Sequence, residues 1–181
     1  MRTFTVLAGV ALLAACGGGT PEGDGADTTE AVKRIRAMED SVFENLAFDQ
    51  RSAQALLDVY KAFASAHPVD SMAPEYLFRA AGVARSVHDA DQGLRLYDRI
   101  IADYPSWRRL PDVYYLKAFT LDSDLDRKGE ARTAYTEVIN RFPDHPFARD
   151  ARAMIENLGL SDAELIEKFE RMQADSAAAV Q

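Results

Sequence analysis

The sequence predicts an all-α fold built from repeated helical hairpins. Three tyrosines each lie eight residues before a proline, and the pairs recur at intervals of 37 and 38 residues. They are Tyr60 and Pro68, Tyr97 and Pro105, and Tyr135 and Pro143. Apolar residues between them recur at three and four positions, whereas no alternating pattern indicates a strand. A period in the thirties made of two helical stretches indicates stacked hairpins, which usually present a surface to another protein.

The first fifteen residues have the pattern of an export signal. Arg2 precedes an apolar run at 4–15 that is short for a membrane span, so residues 1–15 are expected to be removed as a signal peptide. Leu-Ala-Ala-Cys at 13–16 resembles the bacterial lipobox. The resemblance implies that Cys16, the only cysteine, is acylated and becomes the N-terminus; no other cofactor is expected. The alternative is an ordinary cleaved signal with an incidental cysteine.

The residues after Cys16 predict a tether and a location. Residues 16–30 hold glycines and no large apolar side chain beyond the cysteine, which is typical of a flexible linker. Gly17 occupies the position where lipoproteins retained at the inner membrane typically carry Asp. This resemblance implies sorting to the outer membrane with the folded body facing the periplasm, and surface exposure is the alternative.

The charge of the mature chain argues against two classes of partner. The full sequence has a formal net charge of −8, and removal of Arg2 with the signal leaves −9. Nucleic acid is therefore not expected as a partner, and anionic lipid would repel the body. The membrane is expected to be contacted through the lipid anchor only.

Residues 31–173 are expected to form four hairpins, followed by a disordered tail at 174–181. Apolar stripes place first helices at 32–46, 77–87 and from 114, and second helices at 56–64, 94–104 and 131–142. Pro74, Pro111 and Pro146 suit first turns of helices. The fourth hairpin, 146–172, has a C-cap glycine at Gly159 and a capping box that begins at Ser161. The small residues at 80–82 indicate a close approach of two helices or, alternatively, a merely alanine-rich helix.

The spacing of small residues, aromatics and prolines resembles the tetratricopeptide repeat (TPR) family. Ala131, Tyr135 and Pro143 match all three positions of that pattern, and Gly93 replaces the alanine one repeat earlier. The tryptophan and Leu-Gly pair of the family's first helix are missing, and the unit exceeds 34 residues. The resemblance implies a right-handed α-α superhelix of about four TPR-like hairpins. Together with the lipobox, the chain looks like a small bacterial TPR lipoprotein.

The resemblance also implies where a partner binds, because first helices line the concave surface of a TPR stack. The candidates on first helices are Glu75, Phe78, Arg79, Arg85, Lys117 and Thr120. Trp107, Arg108 and Arg109 follow Pro105, and this cluster is a candidate anchor for a peptide or an acidic partner. The alternatives are solvated side chains on the helices and a Trp107 ring tucked between hairpins.

Catalytic and metal chemistry are not expected. His67, His88 and His145 share no helix face, and the first and last precede prolines, so loop or capping roles are expected. Asp122, Asp124 and Asp126 imitate a calcium loop, but the required glycine and glutamate are absent downstream, which favours a turn and a helix cap.

The function expected is a non-enzymatic scaffold that binds other envelope proteins or peptides. One alternative is a self-associating structural lipoprotein, and another is an envelope enzyme that assembles dispersed carboxylates. The oligomeric state is left unassigned.

Overall fold

The described part of the chain is all-α, as predicted. The computed structural model describes residues 24–44 and 49–178, and these form eight α-helices without a strand. The helices are α1 (Asp24–Glu44), α2 (Gln50–Ala66), α3 (Ala73–Ser86), α4 (Ala90–Asp103), α5 (Leu110–Phe119), α6 (Lys128–Arg141), α7 (Pro146–Asn157) and α8 (Asp162–Ala178). A π-helical turn, Thr120–Asp124, follows α5 directly. The signal peptide, Cys16 and the beginning of the predicted tether lie outside the described residues.

The helices pack in chain order around two cores. From α1 to α7 each helix contacts the next, and α5 also contacts α7. The first core extends from Ile35 of α1 to Val113 of α5, and the second extends from Leu94 of α4 to Ala151 of α7. Neighbouring hairpins therefore share their cores, as stacked repeats do. No helix in the described ranges combines the length and apolarity required to cross a bilayer.

The three tyrosines that define the repeat are core residues. Tyr60, Tyr97 and Tyr135 lie on α2, α4 and α6, and none is more than 2% exposed. Each of these helices ends two residues before the proline that accompanies its tyrosine, at Ala66, Asp103 and Arg141. The prediction that the tyrosines pack inside and the prolines terminate helices is confirmed.

The turns after these three helices repeat in backbone detail. His67, Tyr104 and Phe142 cap the helices with φ of −126°, −130° and −132° and ψ of 60°, 56° and 55°. Each cap amide donates a hydrogen bond to the carbonyl four residues earlier, at 2.8 to 3.0 Å. A proline disfavours α-helical geometry in the preceding residue, which explains why the cap leaves the helix at the same point each time.

The helical region begins earlier than the predicted tether boundary. Residues 24–30 were expected to be part of a flexible linker, but they form the first two turns of α1. Asp27 lies in the first turn of α1, near the positive end of the helix dipole, where acidic side chains stabilise a helix. The Thr28 hydroxyl lies 3.4 Å from Nδ1 of His67, which joins α1 to the α2–α3 turn. The prediction of a flexible tether is therefore wrong for residues 24–30, and the earlier part of that segment lies outside the described residues.

The last hairpin departs from the others. The Ser161 amide donates to Glu164 at 2.7 Å, and Gly159 has φ of +87°, so the predicted capping box and C-cap are confirmed. However, Ile166, Phe169 and Met172 of α8 are 59%, 51% and 54% exposed. None of them belongs to either core. The helix also continues to Ala178, which corrects the predicted disorder from residue 174 for the described part of that segment.

The small residues of α3 explain its close approach to α4. Ala80 and Ala81 are fully buried. A Cβ atom built on Gly93 of α4 would lie 3.0 Å from Cγ of Arg85 and 3.4 Å from the Ala81 carbonyl oxygen. Gly82, by contrast, faces open space. The predicted close packing is therefore made by the two alanines and Gly93, and Gly82 has no part in it.

Candidate functional site

Three first helices are joined by a continuous series of ion pairs, which we call the charge ladder. Arg79 of α3 pairs with Glu39 of α1 at 2.7 Å and with Glu75 of its own helix at 3.1 Å. Arg109, the residue before α5, pairs with Glu75 at 3.1 Å and with Asp112 of α5 at 3.3 Å. Five charges from successive hairpins therefore alternate in sign along one side of the stack.

The ladder is anchored at one end by a buried tyrosine. The Tyr60 hydroxyl of α2 donates to Oε1 of Glu39 at 2.6 Å, and the Glu39 side chain is only 14% exposed. Burial raises the pKa of Tyr60, and the bond to Glu39 raises it further. Burial opposes the charged form of Arg79, but the hydrogen bonds to Glu39 and Glu75 outweigh it and raise the pKa of Arg79. Both groups keep their protons over the physiological range.

An aromatic cluster lies beside the ladder. The guanidinium carbon of Arg109 is 4.1 Å from the centroid of the Phe78 ring, a cation–π contact. The Trp107 ring meets Phe78 edge to face, with centroids 5.7 Å apart. Both aromatic rings are half-buried and pack against the first core. The Trp107 ring is therefore half-buried between hairpins, in agreement with the alternative interpretation of the sequence, and its contact with a partner stays a prediction.

The other predicted binding residues are distributed over the stack. Arg85 pairs with Asp124 of the π-helical turn at 2.5 Å, and Lys117 of α5 pairs with Asp98 of α4 at 2.6 Å. Arg108 is exposed at the α4–α5 turn. Thr120 is fully buried, and its hydroxyl donates to the Leu116 carbonyl at 2.8 Å. Thr120 therefore presents nothing to a partner, which corrects its prediction as a binding residue.

Among the predicted residues, the structure brings together Glu75, Phe78, Arg79, Trp107 and Arg109. The sequence analysis missed the partners that complete this group, which are Glu39, Tyr60 and Asp112. The aspartate lies three residues after Arg109, a spacing that favours pairing on a helix and was visible in the sequence. No local pattern joins Glu39 to Arg79, which follows it forty residues later.

The aspartates near the π-helical turn form ion pairs. Asp122 is buried and accepts from Nζ of Lys128 at 2.8 Å and from the Tyr135 hydroxyl at 3.4 Å. Asp126 has φ of +53° in the turn, and it also pairs with Lys128. The residue that caps α6 is Arg127, whose side chain makes no capping hydrogen bond, so the turn is confirmed but the aspartate cap is not. Within the described ranges, no group of three or more His, Cys, Asp or Glu side chains is placed to bind a metal.

Two histidines have the predicted roles at turns. His67 is the C-cap of α2, and His145 is the N-cap of α7, where Nδ1 accepts from the Phe147 amide at 3.3 Å. His88 lies in the α3–α4 turn with φ of +65°.

No protein-family model matches the chain, and no curated protein matches its sequence. The arginines of the charge ladder are 41% and 31% exposed, so a partner's charged groups can reach them. Such a surface is suited to the recognition of another protein through ion pairs, with Phe78 as apolar support.

Proposed function

We propose that this protein is a non-enzymatic, TPR-like binding module that scaffolds other proteins or peptides in the bacterial cell envelope. The hairpins would form a right-handed superhelix of about four repeats. Packing in chain order and the three equivalent turns support a repeat architecture. The charge ladder would lie on the concave surface that first helices line in such a stack.

The observation that carries the proposal is the alternation of charge across three hairpins. Arg79 and Arg109 each pair with two carboxylates, and the two arginine side chains remain 41% and 31% exposed. Ion pairs near the surface contribute little to stability, on the order of 0.2–1 kcal/mol each, so the pairs of Arg109 can be exchanged for pairs with a partner at little cost, while the shielded pair of Glu39 stays in place. Complementary charges would mainly set which partner binds and how fast.

The lipid on Cys16 is the second part of the proposal. Two or three acyl chains would hold the protein firmly at the outer membrane, with the stack in the periplasm. The anchor raises the effective concentration of the module near membrane partners, so even weak binding at the charge ladder suffices.

Affinity capture from native envelopes tests the binding role. We expect one specific complex with the wild-type protein, and recovery reduced about tenfold or more by Arg79→Glu with Arg109→Glu. The control is Arg95→Glu with Arg132→Glu, which changes charge equally at exposed positions of α4 and α6. Circular dichroism melts establish that both variants fold. Equal loss in both variants, or in neither, would contradict binding at the ladder.

Membrane fractionation tests the anchor separately. We expect the wild-type protein to partition with membranes and the exported Cys16→Ser protein to remain in the aqueous fraction. If the substituted protein still partitions with membranes, acylation of Cys16 does not anchor it.

Self-association is a second candidate because α8 exposes Ile166, Phe169 and Met172. Apolar surface on the terminal helix of a stack can pair two copies. Light scattering of the mature Cys16→Ser protein separates the two roles. A dimer that Phe169→Gln dissociates supports self-association, whereas a monomer at micromolar concentration excludes it under those conditions.

A further inference from the structure

One edge of the stack collects the turns between hairpins and the start of α1. The Thr28–His67 contact places the beginning of α1 beside the α2–α3 turn. Residues 68–71 of that turn line two clefts, one shared with α1 and the other with the α4–α5 turn. We call this the tether edge, because the chain leads from here toward Cys16.

The first cleft of the tether edge has a basic wall. It has a volume of about 660 Å³ and lies between α1 and the α2–α3 turn. Lys33 and Arg36 line the wall from α1, and both are exposed. Neither has an ion-pair partner in the part of the chain that the structure describes. One carboxylate, Asp70, also lines the cleft and accepts the Met72 amide at 2.7 Å, so the two cations leave the lining with a net charge of +1 within an acidic protein.

An apolar tip stands between the two clefts. Val69 is 92% exposed, more than any other large apolar side chain of the described ranges. Its neighbour Pro68 is also exposed. The second cleft, about 610 Å³, is lined on the far side of this tip by exposed Arg108 and by Asp103, which pairs with Arg99. An apolar tip beside a basic cleft is typical of protein surfaces that touch lipid headgroups.

The covalent chain limits how far this edge can lie from the anchor. Asp24, the first residue of α1, lies eight positions after Cys16, with seven residues between them. Eight steps of a fully extended chain span at most roughly 29 Å. The start of α1 therefore stays within that distance of an acylated Cys16, which favours the tether edge over the opposite edge as the one that meets the lipid surface.

We propose that the tether edge docks on the membrane surface, where Lys33 and Arg36 bind the phosphate of a lipid headgroup and Val69 enters the headgroup layer. This inference rests on the proposed acylation of Cys16. It goes beyond the expectation that the lipid anchor alone contacts the membrane. The net charge of the body opposes free binding to anionic lipid, but the anchor makes the second contact intramolecular, so a local basic cleft is enough. Docking would fix the orientation of the stack.

Site-specific fluorescence on the lipidated protein tests the inference. Acylation consumes Cys16, so Val69→Cys introduces a single free thiol for an environment-sensitive label. The matched control is Gln50→Cys, an exposed position at the start of α2 and thus at the opposite end of the first hairpin. In vesicles of phosphatidylethanolamine and phosphatidylglycerol, we expect iodide to quench the label at position 69 at least threefold less than the label at position 50.

Charge variants test the role of the basic cleft. Lys33→Gln with Arg36→Gln should return quenching at position 69 to the level of the control position, because each cation near such a surface is worth about fivefold in binding. Arg51→Gln with Arg132→Gln removes equal charge from exposed positions outside the cleft and should leave the protection intact. Loss of protection in both double variants would show a general charge effect and overturn the cleft as the site.

The source of the phosphate is distinguished by lipid composition and competition. Vesicles of uncharged glycolipid that lack phosphate should remove the protection. Millimolar inorganic phosphate should compete if the cleft recognises phosphate itself, and its failure to compete assigns recognition to the intact headgroup. Protection that persists without lipid phosphate overturns the proposal.

Failure of the protein to float with vesicles overturns the anchor and this inference together, whereas flotation with equal quenching at both positions overturns this inference alone.

Discussion

Arg79 and Glu39 join the first two hairpins through a carboxylate oxygen that also receives the Tyr60 hydroxyl. The guanidinium of Arg79 approaches Oε1 of Glu39 at 2.7 Å, and the tyrosine approaches the same atom at 2.6 Å. Donors from α2 and α3 therefore meet on one acceptor from α1. A partly buried carboxylate with two donors is held more rigidly than an exposed pair, which makes this the fixed end of the charge ladder.

A double-mutant cycle should measure this coupling directly. We expect Arg79→Gln and Glu39→Gln to be coupled by about 1 kcal/mol in the free energy of unfolding, because Glu39 is shielded from water. The exposed pair of Arg141 and Glu137 is the control, with coupling of about 0.3–0.5 kcal/mol. Urea denaturation of the single and double variants supplies both values. Equal coupling in the two cycles would contradict a special role for Glu39.

Stability should fall at alkaline pH because the tyrosines are protected from ionisation. Burial raises the pKa of all seven tyrosines above the ordinary value of 10.0. Below pH 10 both the folded and the unfolded chain keep these protons, so the tyrosines leave the free energy of unfolding unchanged. Above pH 10 the unfolded chain loses them while the fold retains them, so the free energy of unfolding decreases with rising pH.

Each tyrosine that keeps its proton only in the folded state should lower the free energy of unfolding by about 1.4 kcal/mol per pH unit above pH 10. Urea titrations at pH 9 and pH 10.5 measure the loss, and absorbance at 295 nm reports the ionisation. Tyr135→Phe should make the decline shallower. A stability that is constant between these two pH values would contradict burial of the tyrosines.

Two glycines on adjacent helices should differ in how well they tolerate a larger side chain. Gly82→Val enters open space and should leave the unfolding free energy within about 0.5 kcal/mol of wild type. Gly93→Val meets Arg85 and the Ala81 carbonyl and should cost about 1–3 kcal/mol. Chemical denaturation of both variants provides the comparison. Similar stabilities would show that α3 and α4 are not in close contact at Gly93.

The exposed face of α8 should contribute little to folding of the monomer. Replacement of Ile166, Phe169 and Met172 by Gln is expected to change the unfolding free energy by less than about 0.5 kcal/mol. Leu77→Ala in the first core is the reference and should cost about 2–5 kcal/mol. Thermal and urea unfolding measure both. A large loss in the α8 variant would mean that this helix packs on the stack as the sequence predicts.

The helices and their turns could be predicted because their causes are local. The spacing from Tyr60 to Pro68 and its two repeats encodes a buried aromatic and a forced helix end, and both reappear in the structure. The capping box at Ser161 is equally local. The start of α1 was misplaced because glycine-rich composition was extended into a segment whose contact with His67 comes from tertiary packing.

The candidate site could be predicted only in part. Counting from prolines correctly placed Glu75, Phe78 and Arg79 on one first helix, since helical spacing fixes which residues share a face. Their partner Glu39 arises from how two hairpins stack, which sequence separation alone does not specify. The prediction for Thr120 failed because this residue lies on the buried side of its helix, where its hydroxyl donates to the Leu116 carbonyl.

Photo-crosslinking in native envelopes tests the proposed binding surface most directly. Gly82 lies three residues after Arg79 on α3, and Gly129 lies on α6; both are exposed, and a Cβ at either would meet nothing within 4 Å. A benzophenone amino acid at each position therefore gives a matched pair. The account predicts a discrete crosslinked product from position 82 that is absent from position 129. The same product from both positions, or from position 129 alone, would contradict binding on the face of the first helices.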